Sequence, residues 1–343
     1  MPTLNDVAKR AGVSTSSASR VFRDGASISP KLRKKVLNAA KELGYTSNLL
    51  ARSLKNSKSN LIGLDICELE NPFYSFIIKG MEKELKNNGY QLILSYSNGD
   101  YEMERKNLEL FAGSQTMGIA FIPGTMENRD LVEQLSAKGI SMIQLFNHVY
   151  DFVDTVAIKD DSGAYQATKY LLEKGHRRIL LLNPVTSFSS DRAEGYRKAM
   201  HEAGVDVDEN LIALFQTTHE SQHTIQQLIE QQKPTAVIAG VYNLGINVVR
   251  ACRQLNLKIH KDISLITFDD VEWPELMDIT SVCQPMEYIG QSAARILLDR
   301  INGRIDSNHP VLTIVEPKLN IRNSVREIGL PVRADTQDNT HER

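Results

Sequence analysis

The segment LIGLDICELENPFYSFIIKGMEKELKNNGYQLILSYS, residues 61–97, carries the pattern from which the fold class follows. It opens with the apolar run LIGLDI and closes with YQLILSYS, and both have the length of a strand. Between them, FIIKGMEKELKNNG has apolar residues at helical spacing and ends at a glycine. A strand, an amphipathic helix and a second strand in this order predict a βαβ unit with parallel strands.

The same alternation continues to residue 146 and restarts after residue 160. Helical spacing is found in YEMERKNLELFAG, DLVEQLSAKG, SGAYQATKYLLEKG, RAEGYRKAMHEAG and VVRACRQLN. The strand-like runs are MGIAFIP, SMIQLF, RRILLLN, AVIAGV and ISLITF. Two blocks of alternating strands and helices predict an α/β body made of two doubly wound parallel-sheet subdomains.

The residues before this body have the pattern of three short helices. Their predicted N-caps and ends are Thr3, Gly12, Ser14, Ser29 and Gly44, with Pro30 in the first turn of the third helix. The apolar positions at helical spacing are Leu4, Val7, Ala8, Ala11, Ala18, Val21, Phe22, Leu32, Val36, Leu37, Ala40 and Leu43. They predict one small core shared by the three helices.

Two short helices joined by a glycine-containing turn match the helix-turn-helix motif, whose second helix enters the major groove of DNA. Arg20 on that helix can read guanine through two hydrogen bonds, and the hydroxyls of Thr15 and Ser16 offer weaker base contacts. Phosphate contacts are predicted for Asn5, Ser14 and Ser19. The alternative is a three-helix bundle that serves only as a protein contact.

The charge of the chain is unevenly distributed. The net charge is -2, but residues 1–60 carry twelve Lys and Arg against three Asp and Glu. The remainder carries 28 basic against 39 acidic residues. A basic N-terminal region favours a polyanionic partner such as DNA, since Lys and Arg neutralise phosphates. A solvated basic face is the alternative.

Residues 47–60 predict a short hinge helix followed by a polar linker. Asn48 can cap the helix, which is too short to be stable without DNA or a partner copy. Leu54 would then wedge into a minor-groove base step, or else pack on the body. The full set of predicted DNA contacts is Thr3, Asn5, Ser14, Thr15, Ser16, Ser19, Arg20, Asn48, Arg52 and Leu54.

A ligand site is predicted beyond the carboxyl ends of the body's strands, where open α/β sheets bind small molecules. The segments there are ENPFY, PVTSF, VYNLG and DDVEW. They combine aromatic rings with charged and amide groups, which suits a small polar ligand such as a sugar. The candidate ligand contacts are Phe73, Tyr74, Asn147, Phe188, Arg192, Tyr242 and Asp269, of which Asn147 comes from the family resemblance described below.

One enzyme motif competes with this interpretation. His219-Glu220-Ser221-Gln222-His223 fits H-E-x-x-H, the pattern of a zinc hydrolase. The same segment begins a polar surface helix with Ile225, Leu228 and Ile229 inward. We expect no catalytic site, no metal and no cofactor, because the chain has no phosphate loop, nucleophile elbow or dinucleotide fingerprint.

Bulk composition indicates a soluble, multi-domain chain. Its 343 residues exceed the size of a single core, and 41% are hydrophobic. Three widely spaced cysteines form neither a disulfide framework nor a metal ribbon. The N-terminus lacks the apolar core of a secretion signal. These features predict a cytoplasmic protein.

The segments TLNDVAKRAGVS, SASRVF, SISPKLRKKVLNAAKELGY and NLLARSL resemble the DNA-binding head of the lactose/galactose repressor (LacI/GalR) family. The body segments NPFYSFIIKGMEKEL, KYLLEKGHRRILLLN, DRAEGYRKAM, KDISLITFDD and ITSVCQPMEYIG fall where that family has similar blocks. The resemblance covers nearly the whole chain. It implies a transcriptional regulator that represses carbohydrate-related genes and has a periplasmic-binding-protein-like body. The alternative is a sugar-binding sensor module without DNA function.

The resemblance also implies a homodimer that reads a near-palindromic operator, with a small effector bound between the two body subdomains altering DNA affinity allosterically. Phe73, Tyr74, Asn147, Arg192 and Asp269 match positions where family members touch effectors. The predicted domains are 1–46 (helix-turn-helix), 47–60 (hinge helix and linker), 61–330 (effector binding and dimerisation) and 331–343 (polar tail). Within the body, the first subdomain takes about 61–160 and 288–320, and the second takes about 161–287 and 321–330.

The chain departs from the family pattern at several positions. Val241-Tyr242 stands where Asn-Asp is common, and Thr217 stands where an aromatic residue is common. Lys159-Asp160 replaces the usual Asp-Asn. These changes predict that Tyr242 supplies the stacking ring and that the effector differs from a plain hexose. Ser47 and Leu32 also differ from the family but leave the predicted DNA contacts intact.

Overall fold

The computed structural model describes residues 2–22, 28–45, 59–185, 189–216, 221–306 and 309–329. The chain forms two compact units, Met1–Ser59 and Asn60–Arg343. Outside the described residues lie Asn48, Arg52, Leu54, Phe188, His219, Glu220 and the predicted polar tail. Within the described residues, no helix is long and apolar enough to cross a membrane.

Three helices form in the described part of the first unit: α1 (Leu4–Arg10), α2 (Thr15–Val21) and α3 (Pro30–Leu43). The N-caps are the predicted ones, since Thr3, Ser14 and Ser29 each accept a hydrogen bond from a backbone N–H of the first turn. Thr3 and Asp6 complete a capping box. Gly44 ends α3 in the left-handed conformation that glycine adopts without strain.

The three helices share one core. Its buried residues are Val7, Ala8, Ala11, Ala18, Val21, Val36, Ala39 and Ala40. Phe22 and Tyr45 pack edge to face at its border, with ring centroids 5.7 Å apart. The prediction that Leu37 faces inward is wrong, because its side chain is 45% exposed. Leu37 lies one residue beyond Val36, so the helix turns it away from the face that is buried.

The second unit contains the remaining elements. Its strands are β1 (Leu61–Ile66), β2 (Gln91–Tyr96), β3 (Gly118–Phe121), β4 (Ser141–Phe146), β5 (Asp154–Ile158), β6 (Ile179–Pro184), β7 (Ile212–Phe215), β8 (Ala236–Ala239), β9 (Ser264–Phe268), β10 (Thr280–Cys283), β11 (Leu312–Val315) and β12 (Lys318–Asn320). Its α-helices are α4 (Pro72–Asn87), α5 (Tyr101–Gly113), α6 (Arg129–Ala137), α7 (Asp160–Glu173), α8 (Ser189–Glu202), α9 (Gln222–Gln232), α10 (Tyr242–Gln254), α11 (Glu272–Leu276) and α12 (Met286–Ile301).

These described strands form two six-stranded sheets, in the orders β11-β5-β4-β3-β1-β2 and β12-β10-β9-β8-β6-β7. The first sheet is parallel throughout, and the second is parallel except for the edge strand β12, which runs antiparallel to β10. We call the first sheet with α4, α5, α6 and α12 the first lobe, and the second sheet with α7 to α11 the second lobe. The predicted α/β class with two doubly wound sheets is confirmed.

Each sheet is covered on both faces, which explains why its central strands are largely apolar and do not alternate between apolar and polar residues. In the first lobe, α4 and α12 cover one face and α5 and α6 cover the other. In the second lobe, α7 and α8 cover one face and α9 and α10 cover the other. Side chains at the carboxyl ends of the strands lie beyond these layers and are free to form a site.

The chain passes between the lobes three times, after β5, after β10 and after β11. The third passage lies between Val315 and Lys318, since β11 pairs with β5 and β12 pairs with β10. The prediction that residues 318–320 belong to the first subdomain is therefore wrong. Lys159 and Glu316, on the first and third passages, form an ion pair of 2.9 Å. The remaining domain boundaries stay a prediction.

Candidate ligand site between the lobes

Arg192 is the centre of a buried polar cluster in the second lobe. It lies near the start of α8, and its Nε and Nη2 atoms donate to Oδ1 of Asp160 at 3.1 and 3.0 Å. Its Nη1 atom donates to the carbonyl oxygen of Gly240, directly after β8. The guanidinium also lies over the ring of Phe268, 4.2 Å from the centroid. The start of α7 and the ends of β8 and β9 thereby hold one cation in a fixed orientation.

Asp269 lies beside this cluster, at the carboxyl end of β9. Its backbone is left-handed, with φ at 67°, a conformation that aspartate tolerates better than most residues. Its Oδ2 atom accepts hydrogen bonds from the backbone N–H of Tyr242, at 2.9 Å, and from Nδ2 of Asn71, at 3.4 Å. Asn71 caps α4 in the first lobe. This pair is therefore a direct polar link between the lobes.

The two carboxylates of the cluster are held in an environment that opposes their charge. Burial raises the pKa of Asp269 to about 6, although Arg192 and the hydrogen bonds from Tyr242 and Asn71 act in the opposite direction. Burial also raises the pKa of Asp160, despite its ion pair with Arg192. Two carboxylates around one guanidinium leave acceptor oxygens in excess. Such a cluster suits a ligand that donates hydrogen bonds, such as one with several hydroxyl groups.

The first lobe contributes aromatic rings. Phe73, at the start of α4, packs against Tyr74 and Phe146 with ring centroids 5.3 and 5.4 Å away. Phe146 ends β4 with a left-handed φ of 72°. The strand β4 is third in the order of the first sheet, and β9 is third in the order of the second. Phe146 therefore corresponds in position to the last residue of β9, directly before Asp269. Burial raises the pKa of Tyr74, so its hydroxyl stays protonated at neutral pH.

The structure brings most of the predicted ligand contacts into these two groups. Arg192, Tyr242 and Asp269 belong to the polar cluster, and Phe73 and Tyr74 belong to the aromatic group. Asn147 directly follows Phe146 and is half-buried. Phe188 lies outside the described residues. Whether any of these side chains touches a ligand stays a prediction.

The structure shows what the residues at two departures from the family pattern contact. Lys159 points to Glu316 and is half-exposed, whereas Asp160 is buried against Arg192. Tyr242 takes part in the cluster through its backbone N–H, and its ring packs edge to face with Trp273 at 6.5 Å. The lysine therefore does not enter the polar cluster, and the tyrosine ring is engaged by a tryptophan.

Several residues of the site were not predicted as ligand contacts: Asn71, Phe146, Asp160, Gly240 and Phe268. Asn71 and Asp269 are 198 positions apart in the chain, so no local pattern relates them. Asn71 carried one usable signal, since asparagine before proline is a frequent helix start. Gly240 has a steric role, because a Cβ there would lie 2.4 Å from Oδ1 of Asn183.

The proposed DNA-reading surface of the first unit is polar and exposed. Thr15, Ser16 and Arg20 are all exposed on α2. The hydroxyl of Thr15 donates to Oδ1 of Asn5 at 3.1 Å, which fixes the orientation of both side chains. Ser14 accepts from the N–H of Ser17 as the cap of α2, and its hydroxyl also makes hydrogen bonds with the hydroxyls of Ser16 and Ser17 at 3.0 and 2.9 Å.

Among the residues that the structure describes, no metal site is present at the H-E-x-x-H motif. No group of three or more His, Cys, Asp or Glu side chains there is arranged to hold a metal ion. His223 is exposed, and its Nε2 atom lies 3.2 Å from Nε2 of Gln227. Ser221 is the N-cap residue of α9, and Ile225 and Ile229 face the core as predicted.

Comparison with known proteins gives the same two-part organisation. Residues 3–48 match the bacterial regulatory proteins of the lacI family, and residues 168–325 match the periplasmic binding protein-like domain. The transcriptional regulator DegA of Bacillus subtilis is 31% identical over 336 residues, covering 95% of this chain and 99% of DegA. The ribose operon repressor of Haemophilus influenzae is 30% identical over 332 residues, covering 95% and 99%.

A solved structure extends the similarity to the whole molecule. The transcriptional regulator CelR, in complex with cellobiose, is 29% identical. It covers 94% of this chain and 100% of its own, with a TM-score of 0.70. The similarity therefore includes both the helix-turn-helix region and the two-lobed body.

Proposed function

The chain belongs to the lacI family of bacterial regulatory proteins, and we propose that it is a repressor that binds a near-palindromic operator as a homodimer. We further propose that a small polar effector binds between the two lobes and changes the affinity for DNA. The observation that carries the proposal is the buried Asp160–Arg192–Asp269 cluster, which Asn71 links to the other lobe. A ligand that binds this cluster would favour one arrangement of the lobes over another.

The exposed side of α2 supports the DNA-binding part. Arg20 is exposed on α2, where it can meet a guanine. Asn48, Arg52 and Leu54 would add contacts through the hinge. DNA binding places the protein's action in the cytoplasm.

The test of DNA reading compares two variants at one fixed salt concentration. A preferred DNA site is first selected from random sequence with the full-length protein. Arg20→Ala should lower the discrimination between this site and scrambled DNA by ~1 to 3 kcal/mol, because it removes base contacts. Lys34→Ala, an exposed lysine on α3, is the control and should weaken binding to both DNAs similarly. If Arg20→Ala and Lys34→Ala lowered the discrimination between the two DNAs equally, the proposed role of Arg20 would be contradicted.

The site between the lobes favours a saccharide. The carboxylates of Asp160 and Asp269 accept hydrogen bonds from hydroxyls, and the rings of Phe73, Tyr74 and Phe146 offer apolar faces for a sugar ring. Two relatives have names that point the same way, the regulator solved with cellobiose and the ribose operon repressor. We propose a saccharide or saccharide derivative as the effector.

A thermal-shift screen tests this assignment. Saccharides, sugar phosphates, nucleosides and polyols are each added to the purified protein, since a ligand that binds the folded state raises Tm. A saccharide should raise Tm, and Asp269→Ala should abolish the rise. Asp206→Ala, an exposed aspartate of the second lobe, is the control and should keep it. A rise that survives Asp269→Ala would place the ligand elsewhere.

We propose that the chain has no catalytic activity, since its relatives are named as regulators and repressors. Elemental analysis of the purified protein should find no stoichiometric zinc. Zinc that is lost on His223→Ala would instead support a metal site at the H-E-x-x-H motif.

A further inference from the structure

A cavity lined by Phe73 and Asp270 lies next to the Asp269 cluster. It has a volume of about 250 Å³ and is bounded by the start of α4, the loop after β9, and the passage from β10 into α12. Its walls include Phe73, Phe76, Val271, Met286 and Tyr288. Arg192, Tyr242 and Asp269 do not line it. We call this cavity the passage crevice.

Gln284 is the unusual residue of the passage crevice. Its side chain is 6% exposed, yet within the described residues neither Oε1 nor Nε2 has a hydrogen-bond partner. A buried amide without partners costs free energy, and nearly all such groups in folded proteins are satisfied. Its backbone is held in place, since the carbonyl of Gln284 accepts from the N–H of Met286 at 2.9 Å. The amide is therefore a fixed donor and acceptor pair on the wall of a cavity.

The charged groups of the passage crevice are already engaged. Asp270 accepts from Nη1 of Arg322 at 2.8 Å, and also from Asn320. Glu287 accepts from Nζ of Lys79 at 3.0 Å. An ion is thus a poor match for the crevice, because its carboxylates are neutralised and the rest of its wall is largely aromatic and apolar.

We infer that the passage crevice is a second ligand site, for a small planar ring that carries a carboxamide or lactam. Such a group places a donor next to an acceptor and pairs with both amide atoms of Gln284. Phe73, Phe76 and Tyr288 supply faces and edges for the ring. The volume suits a single ring, since sites for larger ligands reach ~300 to 1,000 Å³.

The position of the passage crevice gives its ligand a regulatory role. Phe73, Phe76 and Met286 belong to the first lobe, Val271 belongs to the second, and Gln284 lies on a passage between them. A ligand that contacts all three parts binds tightly to one arrangement of the lobes and poorly to others. It therefore acts on the same equilibrium as the proposed effector, from an adjoining site that shares Phe73 with it.

Benzamide and 2-pyridone are the probes, and toluene is the control ring without an amide. Binding to the full-length protein is measured by calorimetry and by the rise in Tm. Gln284→Leu removes both amide atoms and keeps an apolar side chain. Gln291→Leu is the matched control, because Gln291 is half-buried on α12 but its amide already donates to Glu287.

The wild type and Gln291→Leu should bind both amide probes, and Gln284→Leu should bind them about tenfold more weakly, the loss that two neutral hydrogen bonds give. Asp206→Ala, the exposed aspartate of the second lobe, should leave probe binding unchanged. Ligand-free Gln284→Leu should melt no lower than the wild type, since it loses an unpaired buried amide. The inference is overturned if the wild type binds neither probe, or if Gln284→Leu binds them normally or melts lower.

Discussion

Asp269 combines several constraints in one residue. Its φ of 67° costs on the order of 1 kcal/mol for a residue other than glycine. Its carboxyl group is buried, accepts from both lobes and has a pKa of about 6. Strain and buried charge at one position are typical of a functional site, where stability is lost for the sake of binding.

The raised pKa of Asp269 makes the stability of the body depend on pH. Below its ordinary pKa of 3.8 the carboxyl group is protonated in both the folded and unfolded states. As pH rises through about 6, the folded state must bury the charge, and stability falls by about 3 kcal/mol. Asp269→Asn cannot ionise and still accepts from Tyr242, so it should be more stable than wild type at pH 7.5 and similar at pH 4.

Urea unfolding of both proteins at pH 4 and at pH 7.5 measures this difference. The difference in the free energy of unfolding between wild type and Asp269→Asn should increase as pH rises. If Asp269→Asn were less stable by the same amount at both pH values, the burial of a charged Asp269 would not be the cause.

His176 should show the opposite dependence. Its Nδ1 lies 2.9 Å from Oγ1 of Thr235, its Nε2 lies 3.2 Å from the carbonyl of Arg326, and burial lowers its pKa from 6.5 to about 4. A neutral histidine stabilises the fold fully above pH 6.5. That contribution, about 3 kcal/mol, is lost as pH falls from 6.5 through 4, because the unfolded state takes up the proton first.

The measurement compares melting of wild type, His176→Gln and His201→Gln between pH 7 and 4.5. His201 is an exposed histidine on α8 and is the control. His176→Gln should flatten the loss of stability with falling pH, whereas His201→Gln should follow the wild type. Parallel curves for all three proteins would rule out His176 as the group responsible.

At the scale of single residues, the sequence predicted which residues belong to the site better than it predicted what each of them contacts. Arg192 and Asp269 were singled out because they follow apolar runs, and the structure places both in one cluster. The pairing of Asp160 with Arg192, 32 residues away, could not be derived, because it depends on how α7 packs on α8. The link from Asn71 to Asp269 depends on the arrangement of two lobes.

At the scale of elements, α4 and α12 cross with unusually close backbones. A Cβ on Gly80 would lie 2.2 Å from the carbonyl oxygen of Glu287, and one on Gly290 would lie 2.3 Å from that of Ile77. Each glycine therefore makes room for the opposite helix. This crossing fixes the starts of both helices, which carry Phe73 and Met286 into the space next to the ligand site.

Gly80→Ala should therefore destabilise the body. The added methyl group meets backbone and not a flexible side chain, so the helices must separate, at a cost of ~1 to 3 kcal/mol or more. Gly113→Ala, at the end of α5 with open space around it, is the control and should be neutral or stabilising by up to ~1 kcal/mol. Thermal unfolding of both variants decides the matter. Equal behaviour of the two alanine variants would show that the crossing can relax.

The sequence predicted seven of the twelve described strands, including the edge strand β2, and missed β5, β7, β10, β11 and β12. The strands β1, β4 and β9 lie within the predicted runs because they are buried on both faces and largely apolar. The strands β11 and β12 were not predicted. They are edge strands of four and three residues with mostly exposed side chains, and such strands lack a hydrophobic pattern.

At the scale of the whole molecule, charge and fold divide the chain in the same way. The basic surplus lies in residues 1–60, and the two compact units meet at residues 59 and 60. Charge alone predicts affinity for a polyanion and not for a particular sequence. In the function that we propose, sequence-specific binding depends on α2 and regulation depends on the lobes.

Three passages of the chain connect the two lobes, so we expect the relative arrangement of the lobes to be the feature of the body that changes. Each passage is short, from one to two residues between ordered elements. The lobes are otherwise joined near the ligand site by the hydrogen bond from Asn71 to Asp269. A ligand that replaces or reinforces this hydrogen bond shifts the balance between arrangements by its differential affinity for them.

The most direct test of ligand-controlled DNA binding is the Kd of the full-length protein for its selected DNA site, measured by fluorescence anisotropy with and without the saccharide that raises Tm most. The account predicts a change of roughly 5- to 150-fold in Kd, the usual range of coupling between two sites, and no change in Asp269→Ala. An unchanged Kd for wild type at saturating saccharide would contradict it.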